Sequence, residues 1–233
     1  MRLEGRNGPR TLADVALAEL KQDIITGALP PGSPVRLQEQ VERLQMSSVP
    51  IREALRYLER SGLVDRTPHR GTHVAEMSAQ DLEETYRIRQ ELEAMAVAEA
   101  AGRIDAAACE EIERLVEDYA ALAEPDPEQA LQVHSRLHMT IYEASGSKWL
   151  MRLIPMLWDN SERYRRLSLP VRGTVSDRVA EHRRIVELCR LGDAEAAAQA
   201  LREHLSHTFE AAIERLKEVE RQELAAREES ANS

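Results

Sequence analysis

Apolar residues recur at helical spacing near the front of the chain, then give way to a short alternation. Leu12, Val15, Ala16, Leu20, Ile24 and Ile25 repeat at three- and four-residue intervals, which predicts a helix over 11–26 that Gly27 ends. Pro30-Pro31-Gly32-Ser33-Pro34 is a turn. A second short helix follows over 37–44 and a third over 48–62. Residues 63–66 and 72–75 read as two short strands around Pro68-His69-Arg70-Gly71. Three helices and a hairpin predict a winged helix-turn-helix over 11–77, preceded by a loose polar arm at 1–10.

Beyond Met77 the helical period dominates, in candidate helices over 79–101, 105–123, 127–145, 147–168, 175–191 and 193–220. The breaks are Gly102, Pro125-Asp126-Pro127, Gly146, Pro170 to Gly173, and Gly192-Asp193. Pro155 inside the fourth of these predicts a kink, and the charged run 221–233 predicts a frayed tail. The fold expected is mainly α: the winged domain, then an all-α antiparallel helical bundle over 78–220. Composition agrees, since aromatics are only 3% of 233 residues and the core must be built from aliphatic side chains, which suit helix packing. Two distant cysteines, Cys109 and Cys189, fit a reducing compartment, and no stretch has the apolar length to span a bilayer. The start lacks the apolar run of a signal peptide, so a cytoplasmic protein with no membrane partner is expected.

The net charge of −10 looks adverse to nucleic acid until it is mapped. Residues 1–76 hold 11 Lys/Arg against 10 Asp/Glu, while the rest holds 20 against 31. Any DNA contact is therefore confined to the front. On the third helix Ile51, Leu55 and Leu58 share one face, while Ser48, Arg52 and Arg56 at i, i+4 and i+8 share the opposite one. Arginine can fork onto guanine or pair with phosphate, so such a helix suits the major groove. His69 and Arg70 could reach a neighbouring groove from the turn, and Gly71 would permit close approach of the backbone. The plainer reading of the same pattern is a solvated amphipathic helix.

Pro31-Gly32, then Ser-x-x-Pro-Ile-Arg-Glu-Ala-Leu at 47–55, Leu58-Glu59-x-x-Gly62-Leu63-Val64, and Arg70-Gly71 resemble the winged-helix signature of GntR family regulators. The resemblance spans about 11–76. It implies DNA contacts from an arginine early in the second helix, two at the recognition helix, and the wing. Arg52 matches the later recognition-helix arginine, and His69 to Gly71 match the wing. Gln38 stands where the second-helix arginine is expected, and Ser48 where a Ser-Arg pair has its arginine.

Four of the seven histidines lie in positions that could converge: His134 and His138, four apart on one helical face, with His182 and His204 on two later helices. Imidazole is a common neutral ligand for transition metals, and helices of a bundle can bring such rings together. A histidine standing alone is more often a core or surface residue, and His73 and His207 read that way. Tyr86-x-x-Arg89-x-x-Leu92-Glu93, His138-x-x-Ile141-Tyr142-x-Ala144-Ser145-Gly146, Glu181-His182-x-x-Ile185 and Gly192-Asp193 through His204 resemble the FCD effector domain of the FadR subfamily, over about 80–215. The resemblance implies a divalent metal on an Asp and three His. His138, His182 and His204 match the histidines, and His134 stands at the Asp position. An all-nitrogen set of His134, His138, His182 and His204 points to Zn first, with Ni or Cu as alternatives. The resemblance also implies that Arg89 reaches a ligand carboxylate; a salt bridge to Glu93 is the alternative. Arg136, Asn160 and Tyr164 are further pocket candidates.

The expectation is a homodimeric transcription regulator, a repressor, that binds a two-fold double-stranded DNA operator and senses a small organic acid. Two rival readings are a metal-dependent hydrolase and a helical adaptor without ligand. The hydrolase lacks support in the run from His134 to His138, which has no Glu after its first His as an HExxH protease would.

Overall fold

The computed structural model describes residues 11–67, 71–124 and 126–231, leaving aside the side chains of 127 and 223–231. The chain divides into two compact units, Met1–Ser78 and Ala79–Ser233. The expected arm at 1–10 lies outside the described residues.

In the first unit, Thr11 caps α1 (Leu12–Thr26) in a reciprocal box with Asp14, each side chain accepting from the other's amide. Gly27 ends the helix at φ +81°, a left-handed conformation that costs a glycine nothing. Then come α2 (Leu37–Leu44) and α3 (Ser48–Arg60), with Pro50 inside the first turn of α3, where its missing amide proton has no intrahelical acceptor. Strands β1 (Val64–Thr67) and β2 (Gly71–Val74) pair antiparallel with Val64 opposite Val74, each one residue from its expected place. Pro34 bridges to His73 and ties the α1–α2 loop to the wing. Ala16, Leu20, Ile24, Ile51, Ala54, Leu58, Leu63 and Val74 form one aliphatic core beneath the three helices.

The second unit is a bundle of α4 (Ala79–Ala100), α5 (Ala106–Leu122), α6 (Pro127–Glu143), α7 (Leu150–Ser168), α8 (Val175–Leu191) and α9 (Ala194–Ala231). Helix α7 runs on through Pro155 and ends in a 3-10 turn at Leu169–Val171. The tail does not fray where its charge suggested: α9 continues to Ala231. No glycine or proline interrupts that run, and its Ala, Leu, Glu, Lys and Arg are strong helix formers. Helix α4 packs on α9, α7 and α6, while α5 packs on α6 and α8. The core between them is again mostly aliphatic, with Leu115, Leu137, Ile141, Ile154, Ile185 and Leu201 buried. Among the described residues no helix is long and apolar enough to cross a membrane.

Candidate functional site

Three helices deliver four histidines to one point inside the second unit. His134 and His138 come from α6, His182 from α8 and His204 from α9; all are buried, and one ligand nitrogen from each lies within 4.8 Å of the others. The Nε2 of His138 is 3.2 Å from that of His134 and 3.1 Å from that of His182. Burial holds all four imidazoles below their ordinary pKa. Arg165 and the neighbouring rings push His134 and His138 the same way, whereas Glu181 partly opposes burial at His204.

The outer nitrogens of three rings are held by specific partners. His182 Nδ1 donates to the Arg178 carbonyl at 2.6 Å, since a carbonyl can only accept. Tyr142 donates its hydroxyl proton to Glu93 at 2.6 Å, so His138 Nδ1 donates to the Tyr142 oxygen at 2.8 Å. His204 Nδ1 meets Glu181 at 2.8 Å. Glu181 also takes Arg172 at 2.5 Å; burial acts to raise its pKa, but His204 and Arg172 together hold it well below the usual carboxylate range. These partners put the protons of His138 and His182 on Nδ1 and turn two bare Nε2 lone pairs toward each other. His134 Nδ1 is buried with no hydrogen-bond partner among the described residues.

Arg89 lies beside this cluster, buried, with its guanidinium 4.7 Å from the Trp158 ring centroid; Trp158 in turn packs at a tilt against His134 and His138. It is committed within the bundle. Nε donates to Glu93 at 2.6 Å and Nη1 to Ser161 at 2.8 Å. Burial opposes the charge of Arg89, yet Glu93, with Tyr86 and Tyr142, outweighs it and raises the pKa. The alternative reading of Arg89, a pair with Glu93, therefore describes the structure. Arg136 is a correction: it is exposed and pairs with Glu111 at 3.0 Å. Two residues from each α6 histidine, about 200° around the helix, it faces away from them. Asn160 and Tyr164 are buried but bind Asp81 at the start of α4, at 3.1 and 2.7 Å, in a polar cluster of their own.

On the first unit, Arg52 and Arg56 stand exposed on α3 and make no hydrogen bond or ion pair with another described residue. With Arg66 of β1 they line a cleft of about 360 Å³ between α3 and the wing. Ser48 is half-buried at the helix start, and Gln38 is exposed and donates to Glu42 at 3.2 Å. Gly71 opens β2 at φ +84° with open space where a side chain would go, while His69 and Arg70 lie outside the described residues.

The sequence assigned no role to Tyr142, Tyr119, Glu181 and Arg178, although spacing carried a signal for two of them. Tyr142 extends the stripe of His134 and His138 by four residues, and Arg178 precedes His182 by four.

A winged helix-turn-helix bearing exposed arginines, followed in one chain by a bundle that buries a nitrogen cluster, defines the class: DNA-binding regulators with a separate helical domain. Residues 12–74 match the family model of bacterial regulatory proteins of the gntR family, and residues 84–207 match the FCD domain. The chain belongs to the GntR family, in the branch that carries an FCD domain. It is 30% identical to the HTH-type transcriptional repressor GlaR of Escherichia coli K12, over 80% of this chain and 89% of that relative. It is 34% identical to the HTH-type transcriptional regulator McbR of the same strain, over 60% and 64%. The solved structure of E. coli McbR superposes with a TM-score of 0.77 at 25% identity, covering 89% of this chain and 99% of that one. The protein is thus a DNA-binding transcriptional regulator rather than an enzyme, and the hydrolase reading falls.

Proposed function

We propose that this regulator represses transcription as a homodimer on a two-fold double-stranded operator, and responds to a small organic acid at a divalent transition metal held by His134, His138, His182 and His204. One observation carries the reading: the Nε2 atoms of His138 and His182, proton-free by the argument above, lie 3.1 Å apart in a buried site. Two lone pairs at that distance repel. A proton between them would charge a ring that burial keeps neutral, whereas a cation bound by both makes the contact favourable. The donor set suits the ion: four neutral nitrogens fit Zn, Ni or Cu and give an oxygen-seeking ion such as Mg or Ca nothing to hold. When bound, the ion supplies Lewis-acid positions that attract a carboxylate. The chain's own part is orientation, through Tyr142 on His138, the Arg178 carbonyl on His182 and Glu181 on His204.

Arg52 and Arg56 supply the groove-facing charge, with Ser48, Gln38, His69, Arg70 and Gly71 as further DNA contacts. Exposed Ile88 and Met95 of α4, with Leu153 of α7 and Trp149 at that helix's N-cap, offer apolar surface on two packed helices, which suits a subunit interface. Elemental analysis of the purified full chain tests the metal. About one ion per chain is expected in the wild type and none after His182→Ala with His204→Ala. A wild type that stays empty after incubation with Zn, Ni and Cu overturns the reading.

A further inference from the structure

With Arg89 held by Glu93 and Arg136 facing outward, the question is which cation meets an acid. Three buried arginines near the histidines each rest on a glutamate: Arg89 on Glu93, Arg165 on Glu162 and Arg172 on Glu181. Arg178 is only 9% exposed, yet none of its described partners is a carboxylate. Its Nε–H donates to the Tyr119 hydroxyl oxygen at 3.0 Å, and its Nη1 donates to the carbonyls of Arg172 and Gly173 at 3.1 and 2.9 Å. Both Nη2 hydrogens are left without an acceptor among the described residues, and so is the Tyr119 hydroxyl proton. A guanidinium places one Nη2–H parallel to its Nε–H, so that hydrogen and the Tyr119 O–H border the same spot.

We infer that Arg178 and Tyr119 form the carboxylate receptor of this regulator. One carboxylate oxygen accepts from Arg178 Nη2 and the other from the Tyr119 hydroxyl, giving a buried cation the counter-charge that the chain itself withholds. The receptor borders the histidines. The Tyr119 ring centroid lies 5.5 Å from those of both His134 and His182, and the Arg178 carbonyl holds His182 in place. The ligand class is a short-chain acid with a second oxygen function, one end on Arg178 and the other toward the cluster. This inference rests on the acid-sensing reading above and adds the residues that recognise the acid.

The test is calorimetric titration of the full chain, metal-loaded and chelator-treated, with acetate, malonate, succinate and the neutral succinamide. At least one acid should bind the wild type, and succinamide should not. Tyr119→Phe, which keeps the ring, should weaken the acid roughly 3–10-fold, and Arg178→Gln by more than about tenfold, with metal content unchanged. A purely structural role, capping the carbonyls of Arg172 and Gly173, would lower the melting temperature and leave acid affinity alone. If Arg178→Gln does not fold, Tyr119→Phe decides. Wild-type affinity in the variants, or a metal-loaded wild type that takes none of the acids, overturns the inference. Acid binding that depends on Arg178 in a protein that never takes up metal upholds it and sinks the metal reading alone.

Discussion

Arg52 and Arg56 stand in solvent on α3 without a described partner, whereas Arg89, Arg165 and Arg172 are buried in the bundle against glutamates. The same side chain serves opposite ends. On α3 the two guanidiniums are left without a described partner at the surface, where a phosphate or a guanine edge can take them, and the core beneath is aliphatic. In the bundle the three glutamate-paired guanidiniums are structural, and the interior also holds Asp159 and four histidines. Removing Arg52 or Arg56 should therefore cost function, and removing Arg89, Arg165 or Arg172 should cost folding.

Acid should separate the units most sharply. All four cluster histidines are held below the ordinary 6.5, so below that pH the unfolded chain takes up protons that the folded bundle refuses. Stability of the metal-free bundle then falls as pH falls, by up to roughly 1.4 kcal/mol per histidine per pH unit. Hydrogen exchange at pH 7 and 5.5 should show α6 and α8 opening while α1 and α3 stay protected; equal response in both units would break the contrast. Next in size, Arg89→Ala leaves Glu93 buried and unpaired and should cost about 3–5 kcal/mol in urea denaturation. A loss below 1 kcal/mol would mean the pair adds little. Arg52→Ala should weaken operator binding by about 1–3 kcal/mol at fixed salt, as read by fluorescence anisotropy, while stability stays within about 0.5 kcal/mol. The smallest effect expected is Thr11→Ala, which removes the cap of α1 and should cost about 1 kcal/mol of the winged unit alone.

Helix periodicity was legible because glycines and prolines punctuate it, and α4 to α8 begin and end within three residues of their expected bounds. The end of α9 was not, because charge density was read as fraying where propensity favours helix. The α6 histidine pair follows from spacing, but its convergence with His182 and His204 depends on packing between helices 44 or more residues apart, which spacing alone does not encode. The pairing of Arg89 with Glu93 was readable at i, i+4, and the outward face of Arg136 from its place midway between the two α6 histidines. What no local pattern reveals is a missing partner. That Arg178 meets no carboxylate among the described residues emerges only from the folded packing.

If the four histidines hold the proposed divalent ion, the absence of an acidic residue among them has a consequence for electroneutrality. Four uncharged donors cancel none of the charge on a divalent ion, and buried Arg165, Arg172 and Arg178 stand close by. An ion entering that interior imports two full positive charges, and an anion arriving beside it relieves them. Cation and anion are then thermodynamic accomplices: whatever factor one adds to the other's affinity is returned in equal measure.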